Sequence, residues 1–177
     1  MTIYIVRHGQ TEENIRKILQ GHMPGTLTAE GREQVSAAAE SLAMEGILFS
    51  RIVSSDLKRA MDSADIISAR LGLPVTPMKA LRERDWGEYT GMSLSEAKEK
   101  FRKDGKWVFP GDSAETEEGI YLRAVQALEE IKRLYNGENI ILVTHGQFAR
   151  NLLAVQAGCS YHDIPSFSNA EIRKLEI

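Results

Sequence analysis

The run Ile3-Tyr4-Ile5-Val6-Arg7-His8-Gly9-Gln10-Thr11 constrains this chain more than any other stretch. Four apolar residues, three of them β-branched, end abruptly at an arginine, a histidine and a glycine. An apolar run without alternation suits a strand covered on both faces, and open α/β sheets place their ligands beyond the carboxyl ends of such strands. The pattern predicts an α/β fold in which the first strand delivers His8 to a site. Ile140-Ile141-Leu142-Val143-Thr144 followed by His145-Gly146 repeats the arrangement late in the chain. If the two strands run parallel in one sheet, both imidazoles reach the same edge; otherwise they are unrelated loop histidines.

Between these strands the pattern alternates. Thr11 is placed to cap a helix over 12–19, whose free N–H groups beside His8 would favour an anion and where Asn14 adds an amide donor. Residues 20–25, including Gln20, Gly21 and His22, read as a loop by their glycines and proline, with His22 solvated. Thr28 caps a helix to about Met44, with Val35, Ala38, Ala39 and Leu42 facing inward and Gly46 as its stop. Residues 51–54 form a strand, after which Ser55 or Asp56 caps a helix that buries Ala60, Ala64, Ile67 and Leu71.

Arg59 then falls in a first helical turn, where the macrodipole prefers anions. A phosphate bound between the two would account for it; the alternative is a surface arginine paired with a nearby acid. Residues 73–77, interrupted by prolines, read as an edge strand. Residues 81–87 form an irregular loop that holds Glu83 between Arg82 and Arg84. Helices follow over 93–103, 116–135 and 147–157, the second apolar at Ile120, Ala124, Ala127, Leu128, Ile131 and Leu134. The loop at 104–111 is expected to wall the site, Gly158 stops the last helix, and 169–177 supplies a terminal strand with His162 in a polar loop before it.

A chain of 177 residues, 42% hydrophobic and 27% charged, reads as one domain spanning 1–177 that folds without metal or disulfide. Its formal net charge of -3 gives no reason to expect nucleic-acid binding. The single cysteine, Cys159, rules out an intrachain disulfide and a cysteine-based zinc site and reads as a small core residue. Met1-Thr2 leads directly into the first strand with no basic, apolar leader, and no segment approaches the roughly 18 apolar residues of a membrane span. A cytoplasmic protein, with no membrane partner, is expected.

Several ordered motifs are similar to those of the histidine phosphatase superfamily, also called the phosphoglycerate mutase-like family. They are Arg7-His8-Gly9-Gln10-Thr11 with Asn14, Leu27-Thr28-Ala29-Glu30-Gly31, the segment from Ser54 to Ala60, and Leu81-Arg82-Glu83 with Trp86-Gly87 and Gly91. Gly111-Asp112-Ser113 and Thr144-His145-Gly146 complete the set, which covers nearly the whole chain. The resemblance implies a three-layer α/β/α fold, phosphoglycerate mutase-like, with a mostly parallel central sheet flanked by helices. It implies that His8 is a nucleophile forming a phosphohistidine and that Glu83 is the proton donor. Arg7, Arg59 and His145 would hold the phosphoryl oxygens, with Asn14, Gln20, Gly21 and Gly146 around them.

The chemistry of these residue types agrees with those roles. A neutral imidazole is a competent nucleophile near pH 7. Guanidinium groups present paired donors to the charge that develops on phosphoryl oxygens, and His145 would assist best as a cation. Gly9 would clear space for the imidazole. Arg82 and Arg84 are expected to point away from Glu83, whose acid role favours a pKa near neutrality. No cofactor and no metal are expected, and the substrate is a small phosphorylated metabolite.

Three activities are open. A phosphomonoesterase, of the broad-specificity or α-ribazole phosphatase kind, is favoured because the mutases of this family carry a longer insertion than residues 91–113. A phosphoglycerate mutase is the alternative, since Arg102, Lys103 and Lys106 would suit an acidic substrate. A non-catalytic module that binds phosphorylated ligands is the third. Family members often carry an aromatic at the position of Glu13, an acid at that of Thr90 and a second glycine at that of Gln147, departures that leave specificity open, as is the oligomeric state.

Overall fold

Ile3 and Ile5 project to one side of the first strand, Tyr4 and Val6 to the other, and all four are buried. A computed structural model describes residues 1–109 and 113–177. Along the chain, β1 (Thr2–Arg7) leads into the single turn α1 (Glu12–Ile15) and then α2 (Ala29–Met44). β2 (Arg51–Ser54), α3 (Lys58–Leu71) and β3 (Val75–Pro77) follow, then α4 (Leu94–Phe101) and a small hairpin of β4 (Arg102–Lys103) and β5 (Lys106–Trp107). α5 (Glu117–Tyr135), β6 (Ile140–Thr144), α6 (Gly146–Ala157) and β7 (Ile172–Glu176) end the chain.

The central sheet has the order β3-β2-β6-β1-β7, with β7 antiparallel to β1 and every other pairing parallel. Ile3, Ile5, Val53 and Leu142 pack under α5 and α6, while Tyr4, Val6, Ile52 and Val143 pack under α2 and α3. The expected three-layer fold is thus present, and each fully buried aliphatic side chain contributes roughly 1.5–3 kcal/mol. A third apolar cluster of Leu19, Trp86, Tyr89 and Ala97, with Phe101, Trp107 and Phe109 against it, supports the hairpin.

Capping follows the sequence closely. Thr28 accepts from the Gly31 N–H at the start of α2, Thr116 from Gly119 at the start of α5, and Thr11 forms a capping box with Asn14. Several boundaries differ. The helix expected over 12–19 is one turn, because Lys17 turns to positive φ and Ile18 bridges to Ser93. α3 starts at Lys58 with Leu57 in the cap position, since Asp56 is drawn to Arg82 and Ser55 to the site. The helix expected to reach Lys103 ends at Phe101, and part of the loop at 104–111 is a hairpin turned at Asp104-Gly105, both at positive φ.

Leu134 is exposed and Tyr135 is buried in its place, because Tyr135 continues the i, i+4 row from Ile131. Cys159 is half-buried and belongs to neither main core. Gly111 and Asp112 of the resembling Gly111-Asp112-Ser113 segment lie outside the described residues. Among the described residues no helix is long and apolar enough to cross a membrane.

Candidate active site

The parallel register of β1 on β6 pairs Arg7 with Thr144, so His8 and His145 each stand one residue beyond a strand end. Their rings lie 5.2 Å apart between centroids, and both are buried. The duplication seen in the sequence is a real pair. His8 Nδ1 lies 2.7 Å from the Gly9 carbonyl, which accepts its proton and leaves the Nε2 lone pair facing the site. Arg59 donates from Nε to that Nε2 at 3.3 Å. Burial, followed by the charges of Arg59 and Arg7, holds the His8 pKa well below its usual value.

His145 is held low in the same way, by burial first and then by Arg59, His8 and Arg7. Without a ligand the site favours the neutral ring; the imidazolium expected above belongs to the phosphate-bound state. Ser55 lies 2.8 Å from His145 Nε2 and also accepts the Leu57 N–H. A hydroxyl hydrogen bond donated to Nε2 puts the ring proton on Nδ1, which is buried without a partner among the described residues. A neutral His145 so oriented is still a donor. Ser55 belonged to a resembling motif, yet nothing in its local sequence announced this contact.

Arg59 is the second residue of α3 and is only 1% exposed. Its Nη2 donates to Gly21 O at 2.8 Å and its Nη1 to Met23 O, so the loop at 20–25 fixes the guanidinium. Burial pushes its pKa down to about 10, which leaves it charged at neutral pH. Arg7 donates from Nη1 to Phe167 O at 2.6 Å, and its Nε is buried without a partner among the described residues. A Cβ on Gly146 would stand 3.4 Å from that Nε, an ordinary contact, so the guanidinium packs directly on this residue without requiring a glycine.

Glu83 caps α6. Its Oε2 accepts the Gln147 N–H at 3.2 Å and its Oε1 accepts Phe148 N–H at 3.1 Å and Arg84 N–H at 3.0 Å. These N–H groups are open donors at the positive end of a helix that lacks a side-chain cap of its own. As expected, the flanking arginines turn away: Arg82 makes a bidentate pair with Asp56, and Arg84 donates to Glu115 O while lying over Trp86. Arg84 is buried, however, so it is no surface charge.

The Glu83 carbonyl receives His22 Nε2 at 2.9 Å and Arg123 Nη2 at 3.3 Å. His22, expected to be solvated, therefore braces the acid. Arg123 also donates to the carbonyls of Ala80 and Arg82 and pairs with Glu115. The signal for Arg123 was its place beside the apolar row of α5. Asn169 had none: it donates to His8 O and Asn14 Oδ1 from more than 150 residues away.

Asn14, Gln20, Gly21, Arg7, His8 and Arg59 line a small cavity of about 140 Å³. A larger one of about 440 Å³, bordered by Gly146, shares Arg7 and Glu83 with it. Gly21 takes φ 47° there, a conformation that favours glycine. All the predicted site residues except Gly146 meet at the small cavity or, in the case of His145, against the His8 ring; Gly146 faces the larger one. Among the described residues no group of three or more histidine, cysteine or acidic side chains is placed to hold a metal ion.

The chain belongs to the histidine phosphatase superfamily (branch 1), whose sequence model matches residues 3–177. It is 36% identical over 159 residues to phosphoglycerate mutase-like protein 4 of Arabidopsis thaliana, covering 85% of this chain and 68% of that one. It is 33% identical over 156 residues to a broad-specificity phosphatase of Saccharomyces cerevisiae, with the same coverage of each. Among solved structures it resembles mycobacterial glucosyl-3-phosphoglycerate phosphatase with a TM-score of 0.86 at 28% identity, over 99% of this chain and 92% of that one.

Proposed function

We propose that this chain is a phosphomonoester hydrolase that works through a phosphohistidine on His8, acting on a small phosphorylated metabolite in the cytoplasm. The observation that carries the reading is the His8 Nε2 lone pair, held unprotonated by burial and by Arg59 and Arg7, in a small cavity that shares Glu83 with a larger one. The small cavity suits a phosphoryl group and the larger one the alcohol that leaves it.

His8 Nε2 attacks phosphorus, and the ester P–O bond breaks on the opposite side. Arg7, Arg59 and the Nδ1–H of His145 hold the phosphoryl oxygens as charge develops. A protonated Glu83 gives its proton to the leaving oxygen. The resulting carboxylate then takes a proton from water, whose oxygen attacks phosphorus as the P–N bond breaks and His8 is restored. Among the described residues Glu83 Oε2 accepts a single N–H, which leaves room for that proton.

The relationship to a broad-specificity phosphatase and to glucosyl-3-phosphoglycerate phosphatase supports hydrolysis. Turnover of p-nitrophenyl phosphate quenched in alkali, which preserves a P–N bond, with mass analysis of the His8 peptide, tests it. An adduct that forms and is cleared by water is the expected result. An adduct that persists until 3-phosphoglycerate is added would replace hydrolysis by a mutase activity. No adduct and no product would leave a binding module.

A further inference from the structure

The larger cavity is charged in an unbalanced way. Arg7, Lys98, Arg102 and Arg150 line it, and among its described lining residues Glu83 is the sole carboxylate. Elsewhere on a chain of net charge -3, Arg51, Arg70, Arg82, Arg123 and Arg173 each pair with a carboxylate. Lys98, Arg102 and Arg150 make no ion pair among the described residues. Lys98 and Arg102 are exposed and Arg150 is partly buried, so together they give the concavity a positive field that favours an anion.

Arg150 is also aimed. Its Nε donates to Ile164 O at 2.7 Å, and its guanidinium lies 5.0 Å from the centroid of the Tyr161 ring. That ring is itself fixed, because its hydroxyl donates to Glu117, which also accepts the Trp107 N–H of the hairpin. The Nη groups of Arg150 make no bond among the described residues. Gln147 stands three residues earlier on the same face of α6 and lines the same cavity, and its Nε2 is buried without a partner among the described residues. A buried donor left unpaired is destabilising, and a ligand acceptor would relieve it.

Building on the phosphatase reading, we propose that the alcohol half of the substrate carries a second anionic group, a carboxylate or a further phosphoryl group, recognised by Arg150 with Arg102 and by the Gln147 amide. A neutral sugar or alkyl leaving group would meet none of these donors with matching charge. Arg150 is then a specificity-determining residue.

Paired esters measure this directly. 3-Phosphoglycerate against glycerol 3-phosphate tests the carboxylate, and glucose 1,6-bisphosphate against glucose 6-phosphate tests the second phosphate. At least one anionic member is expected to have a kcat/KM about tenfold or more above its neutral partner, and which one tells the two anions apart. Arg150→Gln should lower that ratio about tenfold, mainly through KM, Arg150→Lys should recover part of it, and added salt should shrink it. A misfolded fraction lowers both esters together and leaves the ratio alone. Wild-type ratios near one, or a ratio untouched by Arg150→Gln, would overturn the inference while hydrolysis stands. No hydrolysis of these esters or of p-nitrophenyl phosphate would overturn the phosphatase reading and this one with it.

Discussion

Arg59 points Nε at Nε2 of His8 across 3.3 Å, joining the start of α3 to the end of β1. One N–H thus holds the nucleophilic lone pair in place and stands where phosphoryl oxygens arrive. Arg59→Ala should lower kcat by roughly a hundredfold to a thousandfold, as loss of a transition-state donor does, and Arg59→Lys should restore little because it lacks the planar fork. The same loss removes one cause of the low His8 pKa, so the acid limb of the pH–kcat/KM profile should move to higher pH. An unmoved limb would separate Arg59 from the nucleophile.

His8→Ala should cost roughly a thousandfold or more in turnover and leave no acid-labile phosphoryl adduct. The variant should still fold, which circular dichroism would show. Appreciable residual hydrolysis would transfer the nucleophile's role elsewhere.

Stability should depend on pH through both histidines. Above about pH 6.5 each is neutral folded and unfolded, so neither matters there. As pH falls below about 6.5, the unfolded chain takes up protons that the buried rings refuse, and stability declines by up to about 1.4 kcal/mol per pH unit for each. Urea midpoints from pH 7 to pH 5, above the carboxylate range, would show the slope. A His8→Asn and His145→Asn double variant should flatten it; an equal slope would refute the assignment.

Glu83→Gln should slow esters with poor leaving groups far more than p-nitrophenyl phosphate, whose leaving group needs little protonation. Steady-state rates on an alkyl ester and on the aryl ester decide it. Equal losses on both would mean that Glu83 serves only to cap α6.

Gly9→Ala should destabilise the fold by about 3 kcal/mol, a fall of roughly 10 °C in Tm. The added Cβ would lie 2.4 Å from Gly31 O and 2.8 Å from Val35 Cγ2. This glycine is required by the first turn of α2 pressing on the loop after β1, rather than by freedom for the imidazole. Differential scanning calorimetry is the check, and an unchanged Tm would contradict the contact.

Much of the frame was legible because it is written locally. An unbroken apolar run marked β1 and β6 as doubly covered, threonines before apolar periodicity marked the caps of α2 and α5, and prolines marked β3 as an edge. The hairpin at 102–107 was less visible because each strand is two residues long, although Asp104-Gly105 is its turn signal. His22 was read as solvated because loop composition predicts exposure on average, and here its bond to the carbonyl of Glu83 leaves it only partly exposed.

The sequence by itself determined the elements, the residue types gathered at strand ends, and the chemistry those types can perform, since these depend on neighbours within a few positions. Only the tertiary structure decided the partnerships: Ser55 with His145, Arg123 with the carbonyl of Glu83, Asn169 with Asn14, Arg150 in the larger cavity. Their members lie far apart along the chain and meet only because the order β3-β2-β6-β1-β7 brings separate strand ends to one edge. Burial there, which no local pattern encodes, also holds the pKa of both histidines well below the usual imidazole value in the ligand-free protein.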